Sequence, residues 1–118
     1  MRGKTFENPV ELALDVIGGK WKMPILWRLH QRVHRYNELQ RSLGAISPKM
    51  LTQQLRELEA DGLVHRKVHP EVPPRVEYSI TDRGRSAMPV VHALRDWGIA
   101  FRRAEDAGSG PRSRSGDG

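Results

Sequence analysis

Residues 36–81 carry the signals that decide the fold, and they read YNELQRSLGAISPKMLTQQLRELEADGLVHRKVHPEVPPRVEYSIT. Near the middle, Ser47 is a suitable helix N-cap, because its hydroxyl can accept a hydrogen bond from an unpaired backbone N–H. Pro48 fits the first helical position, where no backbone donor is needed. Apolar residues then recur at i, i+4 and i+7, and they are Leu51, Leu55 and Leu58. This spacing predicts a helix that begins at Pro48 and buries the leucine stripe.

A shorter helix is predicted just before it. Asn37 is a candidate N-cap, with Gln40 at the third helical position as in a capping box. Leu39 and Leu43 supply the buried side of this helix. Gly44 stands where a helix C-cap or a turn residue belongs. The two helices are therefore expected to be separated by a tight turn.

The segment after Gly62 predicts two strands. Residues 63–68 (LVHRKV) place the β-branched Val64 and Val68 four apart with polar residues between them, and residues 76–80 (VEYSI) alternate apolar and polar side chains. The prolines of the intervening segment 69–75 cannot donate to a sheet ladder and therefore mark a hairpin tip. Helix, turn, helix and hairpin in this order predict a mainly α fold with a small β-hairpin wing, the winged helix-turn-helix. Modules of this plan commonly bind DNA.

The second helix has a polar face that suits the major groove. Its predicted DNA-contacting residues are Ser47, Lys49, Met50, Thr52, Gln53 and Arg56. A glutamine can pair with N6 and N7 of adenine, lysine and arginine can bind phosphate or guanine, and a methionine or threonine methyl can contact a thymine methyl. Acidic residues gather toward the other end of the helix, so the N-terminal half is predicted to read the bases. A solvated helix of mixed charge is the alternative explanation.

Three blocks of sequence resemble the HxlR-type winged-helix transcriptional regulators of bacteria, within the MarR-like superfamily. The blocks are PVELALDVIGGKWKMPIL (9–26), YNELQRSLGAISPKMLTQQLRELEADGLVHR (36–66) and VPPRVEYSITDRGR (72–85). The later LRDWG, residues 94–98, is also similar, so that the resemblance spans residues 8–102. It implies a sequence-specific homodimer on a near-palindromic operator. Each subunit would place a recognition helix in the major groove and a wing on the backbone or minor groove.

Four further residues are predicted to contact the sugar-phosphate backbone. Lys22 lies near a helix start that follows Gly18–Gly19, a place where phosphate is electrostatically favoured. Arg35 and Tyr36 precede the first helix of the motif, at positions for which the resemblance implies backbone contact. Arg75, at the wing tip, can reach phosphate or the minor groove. A solubilising loop charge is the alternative explanation of Arg75.

The resemblance has one departure that bears on regulation. Many relatives carry a cysteine just before the PVE motif, and in some of them that thiol senses oxidants. Here the position is Asn8, and the chain has no cysteine at all. Thiolate chemistry and disulfide switching are therefore excluded. Asn8 instead suits an N-cap, with Pro9 at the first helical position.

Composition agrees with a polyanionic partner. The 118 residues include 20 Lys plus Arg and 14 Asp plus Glu, a net charge of +6, and double-stranded DNA fits this balance. One domain is predicted over residues 8–107, with a flexible N-terminus (1–7) and a disordered tail (108–118). There is no signal peptide and no apolar run of about 18 residues, so a cytoplasmic, nucleoid-associated protein without a membrane partner is expected.

The helices outside the motif are expected to form a dimer interface. On the first helix, Leu12 and Val16 lie outside the main apolar stripe. The C-terminal segment is expected to start at the N-cap Thr81, to reach about Ala104, and to be kinked or divided by Pro89. Its stripe consists of Val90, Leu94, Trp97 and Phe101. The resemblance favours an interface over the alternative, a monomer core, and a small-molecule effector is left open because no polar constellation identifies one.

Histidine spacing leaves a metal-responsive regulator as one alternative. His30 and His34 are four residues apart, as are His65 and His69, so either pair could bind zinc with a carboxylate. Solvated histidines explain the same spacing, and no metal or cofactor site is predicted. No catalytic arrangement stands out, so an enzyme is not expected. A second alternative is a winged-helix module whose basic helix binds an acidic protein.

Overall fold

The computed structural model describes Thr5 and residues 8–109. In chain order the elements are α1 (Pro9–Ile17), α2 (Lys22–Gln31), β1 (His34–Arg35), α3 (Tyr36–Leu43), α4 (Pro48–Ala60), β2 (Val64–His69), β3 (Arg75–Ile80), α5 (Asp82–Arg85) and α6 (Met88–Ser109). The predicted fold class, mainly α with a hairpin wing, is confirmed. Two compact units are distinguished, one ending at Met88 and one beginning at Pro89. Apart from Thr5 and the last two residues of α6, the predicted flexible N-terminus and tail lie outside the described residues.

The core of the first unit is built from α2, α3, α4 and the sheet. Its largest fully buried side chains are Ile25, Leu26, Leu39, Leu51, Leu55 and Leu58. The predicted leucine stripe of α4 is thus confirmed as core. Burying each leucine stabilises the fold by roughly 1.5–3 kcal/mol relative to exposure. Because this stripe fixes which side of α4 faces inward, it also fixes the side that faces solvent.

Helix ends follow the predicted capping chemistry in most places. Ser47 Oγ accepts the Met50 N–H at 3.1 Å, and Asn8 Oδ1 accepts the Val10 N–H at 2.7 Å. The start of α3 is a correction, because Arg35, not Asn37, is the N-cap. The carboxylate of Glu38 accepts the Arg35 N–H at 2.8 Å. This bond lowers the pKa of Glu38, and it replaces the predicted capping box.

The three strands form an antiparallel sheet in the order β1-β3-β2. The predicted hairpin of β2 and β3 is confirmed, with Val64 opposite Ile80 and His69 opposite Arg75. The short β1 pairs with the other edge of β3, where His34 stands opposite Tyr78. Two residues are too few for an alternating pattern, so β1 was not predicted. It draws the start of α3 to the side of the wing.

The C-terminal helical region is divided, as predicted, but not by Pro89. Thr81 caps only the short α5, where its hydroxyl accepts the Gly84 N–H at 3.0 Å. The chain then breaks at residues 86–87, and Pro89 lies in the first turn of α6. A proline there costs no intrahelical hydrogen bond, so it does not bend the helix. Among the described residues, no helix has both the length and the apolar character to span a membrane.

Candidate nucleic-acid interface

One side of α4 presents four polar side chains to solvent. The same shallow surface depression is lined by all four, which are Lys49, Thr52, Gln53 and Arg56. Their spacing of three, four and seven residues places them on one face of the helix. We call these four residues the recognition face. Because the buried leucines occupy the opposite side, the recognition face cannot turn away from solvent without unpacking the core.

Tyr36 holds the start of α4 in place. The Tyr36 hydroxyl donates to the Pro48 carbonyl oxygen at 2.9 Å. The hydroxyl oxygen of Tyr36 also lies 3.2 Å from Thr52 Oγ1. The bonds connect the first turn of α3 to the first turn of α4. Tyr36 was predicted to contact the DNA backbone. The structure gives its hydroxyl a structural role, that of fixing the angle at which the recognition face is presented, and the contact with DNA stays a prediction.

Lys22 is not placed as predicted. It is the first residue of α2, its side chain is only 6% exposed, and its Nζ lies 2.6 Å from Glu57 Oε1. A buried ammonium group requires a paired anion, because an unpaired buried charge is strongly destabilising. Lys22 is therefore held by Glu57 under α4, and the prediction that it grips phosphate is corrected.

Glu57 is a site residue that the sequence interpretation missed. From the sequence, the acidic end of α4 is expected to lie outside the major groove, and no contact of Glu57 is predicted. In the structure the second carboxylate oxygen of Glu57 accepts a 3.3 Å hydrogen bond from Gln53 Nε2. The available signal was the i, i+4 spacing of an amide and a carboxylate on one helix. Glu57 therefore touches both the buried lysine and the recognition face.

Met50 is separated from the recognition face. It lines a groove between the α1–α2 turn and α4, together with Leu14, Trp21 and Gln54. Its sulfur lies 3.4 Å from the amide nitrogen of Gln54. The helix turns by about 100° per residue, which carries Met50 roughly a quarter turn or more away from the recognition face. This placement favours packing against the turn over the predicted contact with a thymine methyl.

The structure brings the two predicted backbone-contacting arginines together. Arg35 and Arg75 line one cavity between the start of α3 and the wing, with Asn37 and residues 71–76 around it. Arg35 is exposed, as its predicted role requires. The antiparallel pairing of β1 with β3 creates this neighbourhood, because Arg35 stands opposite Glu77.

Arg75 is less available than its prediction requires. It is the first residue of β3, not part of the tip, and its guanidinium lies 3.1 Å from Glu71 Oε2 and 3.7 Å from Glu77 Oε2. Glu77 also accepts a 2.7 Å hydrogen bond from His69 Nε2. The His69 bond, followed by the charge of Arg75, lowers the pKa of Glu77. Arg75 must exchange carboxylate partners for phosphate if it is to contact DNA.

The histidine pairs are not assembled into a metal centre. His34 is buried and its Nδ1 lies 2.9 Å from the Arg32 carbonyl oxygen, whereas His30 is exposed. His65 is exposed on β2, and His69 contacts Glu77. Within the described part of the chain, no three histidine or acidic side chains are grouped as a metal would require.

The predicted interface residues of α1 border an apolar cavity. Leu12 and Val16 are half-buried, and they line a cavity of about 350 Å³ together with Leu63 and Arg83. On other sides of the same helix, Val10 and Leu14 are largely exposed. Helix α1 is therefore apolar on more than one face.

Helix α6 exposes the whole predicted stripe. The exposed fractions are 46% for Val90, 49% for Leu94, 67% for Trp97 and 36% for Phe101. The rings of Trp97 and Phe101 stack with centroids 5.2 Å apart. Contiguous apolar surface of this kind marks an interaction site more often than scattered exposed residues do.

The similarity of this chain to known proteins covers most of its length and is not limited to the helix-turn-helix. A family model described as HxlR-like helix-turn-helix matches residues 16–106. The HTH-type transcriptional regulator YybR of Bacillus subtilis (strain 168) is 52% identical over 94 residues, which cover 80% of this chain and 75% of YybR. An HTH-type transcriptional regulator of Methanothermobacter thermautotrophicus is 49% identical over 92 residues, covering 78% of this chain and 70% of its own.

Solved structures give the same picture. The redox regulator HypR in its reduced form aligns with a TM-score of 0.79 and 48% identity, covering 85% of this chain and 99% of HypR. The HTH-type transcriptional regulator YtcD aligns with a TM-score of 0.78 and 48% identity, covering 81% of this chain and 98% of YtcD. HypR is described as a redox regulator, whereas the present chain contains no cysteine.

Proposed function

The chain belongs to the HxlR-like helix-turn-helix family of DNA-binding transcriptional regulators, and from that membership we propose that it binds a near-palindromic operator as a homodimer. Each subunit inserts α4 into the major groove and lays the β2–β3 wing on the backbone or in the minor groove. The observation that carries the proposal is the recognition face, a polar surface fixed by three buried leucines on the opposite side of one helix. A helix with this division can enter the groove without disturbing the core.

Roles within the interface follow from side-chain chemistry and placement. Gln53 is the base-reading residue, because an exposed amide supplies the donor and acceptor that adenine requires. Lys49 and Arg56 contact phosphate or guanine from the same face, and the Thr52 methyl lies next to them. Arg35 contacts the backbone beside the wing, and Arg75 joins it after releasing its carboxylates. Ser47, at the helix start, can still donate its hydroxyl proton to a phosphate.

The proposed dimer uses the apolar stripe of α6. A stripe of four exposed apolar side chains is costly in a monomer, and pairing it with its copy about a twofold axis buries both. A twofold dimer presents two recognition helices to half-sites about 34–36 Å apart, which is the reason for expecting a near-palindrome. The proposal also assigns Leu12 and Val16 of α1 to contacts with the partner subunit.

The inducing signal is proposed to be something other than cysteine oxidation. HypR is described as a redox regulator, and this chain is 48% identical to it over most of its length. Without cysteine, the chain cannot form a disulfide or a sulfenic acid on a thiol. The apolar cavity beside α1, of about 350 Å³, has room for a small-molecule effector.

Salt dependence on duplex DNA tests the function. The full chain would select duplexes from a random pool, and its Kd for the selected duplex would be measured by fluorescence anisotropy between 50 and 200 mM salt, a range over which six to ten phosphate contacts lower affinity about 10³–10⁵-fold. A regulator also prefers the selected duplex over random DNA. No preference together with a flat salt response would refute the proposal and would favour a protein-interaction module that binds an acidic partner.

Substitutions on the recognition face should separate base reading from backbone contact. Gln53→Ala is expected to lower discrimination at particular base pairs by about 1–3 kcal/mol, because the bidentate contact is lost. Lys49→Ala should weaken binding to all sequences alike and reduce the salt slope by about 1. Anisotropy titrations against a panel of single-base-pair variants give both quantities. If the two variants behave alike, the division of roles is wrong.

A further inference from the structure

Three side chains form a continuous series of contacts from the core to the recognition face. Lys22 Nζ lies 2.6 Å from Glu57 Oε1. The other carboxylate oxygen, Oε2, accepts the hydrogen bond from Gln53 Nε2. Lys22 is buried, Glu57 is half-buried and Gln53 is exposed. A charge held in the interior is thereby connected to the amide that is assigned to base reading.

The carboxylate can hold only one end of that amide. An ionised carboxylate accepts hydrogen bonds and donates none, so it attracts the NH₂ group of Gln53 and repels the carbonyl oxygen. One N–H is directed to Glu57, which leaves the second N–H and the carbonyl oxygen for a base. These are the donor for N7 and the acceptor for the N6 amino group of adenine. In the reversed orientation, the Gln53 carbonyl oxygen would face adenine N7, which is also an acceptor. The Gln53 NH₂ group would face the N6 amino group, which is also a donor.

Stability alone is a weak explanation for the buried pair. Lys22 occupies the first turn of α2, where the helix dipole is unfavourable to a cation. Replacing a buried ion pair with well-packed apolar residues is often neutral or stabilising. The pair has a clearer physical use in fixing the direction of the Glu57 carboxylate at the edge of α4.

We propose that Lys22 and Glu57 are positioning residues that determine which base pair Gln53 prefers. The proposal rests on the function given above, since it requires α4 in the groove. By holding the amide in one of its two orientations before DNA arrives, the pair reduces the rotamer freedom that is lost on binding. Lys22 therefore acts on specificity from the interior, without touching DNA.

Exchanging the two charges tests this role. The double variant Lys22→Glu with Glu57→Lys keeps an ion pair under α4 but puts a donor beside Gln53, so the amide turns over. Duplexes selected by the wild-type chain would be titrated as a panel of single-base-pair variants. We expect discrimination at the base pair that is sensitive to Gln53→Ala to fall about tenfold. The midpoint of urea unfolding should stay close to that of the wild type. A purely structural pair predicts wild-type discrimination in the swapped chain, and that result would overturn the proposal.

Two single variants on α4 provide a matched comparison. Glu57→Gln and Glu59→Gln each remove one carboxylate from the helix, but Glu59 faces Arg66 at 3.7 Å and makes no described contact with Gln53. We expect only Glu57→Gln to lower discrimination at the Gln53 base pair, and this comparison decides the matter if the swapped chain does not fold. Equal discrimination in the two variants would overturn the positioning role. If the wild-type chain itself shows no base preference, the proposed function fails, and the positioning role fails with it. Loss of preference in Gln53→Ala but not in Glu57→Gln overturns the positioning role alone.

Discussion

A Gly84→Ala chain is expected to lose about 3 kcal/mol or more of its free energy of unfolding. Gly84 is buried, and a Cβ built on it would lie 2.3 Å from the Leu63 carbonyl oxygen and 2.6 Å from Ile80 Cγ1. The carbonyl cannot retreat easily, because it also accepts the Thr81 N–H at 3.1 Å. The added methyl must push α5 away from the sheet.

Urea unfolding followed by circular dichroism measures this loss as a lower midpoint. Gly98→Ala is the matched control, since a Cβ at Gly98, inside α6, meets nothing within 4 Å. A glycine in an open helix interior gains up to about 1 kcal/mol on replacement by alanine. Equal midpoints for Gly84→Ala and the wild type would show that α5 does not pack on the sheet in the way described.

Features that depend on one element were predictable from the sequence. The start of α4 follows from a capping serine and a proline, and its buried side follows from counting leucines. The wing follows from two strand-like segments separated by prolines. Each of these signals lies within a few residues, where helix or strand geometry alone determines which side chains share a face. The exposed stripe of α6 was found in the same way.

Features that depend on contacts between elements were not predictable. Lys22 and Glu57 are 35 positions apart in the chain, and no periodic pattern reports that their side chains meet. The same limit explains the missed β1, which consists of two residues that acquire meaning only by pairing with β3. Arg75 was judged by its own charge, whereas its availability depends on Glu71 and Glu77 beside it.

In the proposed interface, α4 combines base specificity with contacts that hold the helix in position. The leucine stripe and Tyr36 fix where α4 lies, and Lys22 with Glu57 fixes how one of its side chains is turned. In the proposed arrangement, a charge near the groove does not have to contact phosphate to influence binding. A lysine under the recognition helix is expected to affect the choice of base, whereas a lysine on the recognition face is expected to affect affinity for all DNA.

Leu94→Glu is expected to separate the proposed dimer and to lower operator affinity by about 100-fold or more. Leu94 lies near the middle of the α6 stripe and is about half exposed in the single chain. In the dimer its replacement would bury a carboxylate without a partner, which is strongly unfavourable. Once the subunits separate, each binds its half-site alone, and the gain from linking two half-sites is lost.

Sedimentation equilibrium gives the oligomeric state of the Leu94→Glu chain, and anisotropy gives its affinity for duplexes with one or two half-sites. Arg103→Gln is the control, because it also makes the net charge more negative by one unit. It does so nine residues further along α6, on the opposite side of the helix. We expect Leu94→Glu to be monomeric, to bind the single half-site almost as the wild type does, and to lose affinity mainly for the double site. Arg103→Gln should remain dimeric with little change on either duplex. A Leu94→Glu chain that stays dimeric, or that weakens equally on both duplexes, would remove the α6 stripe from the dimer interface.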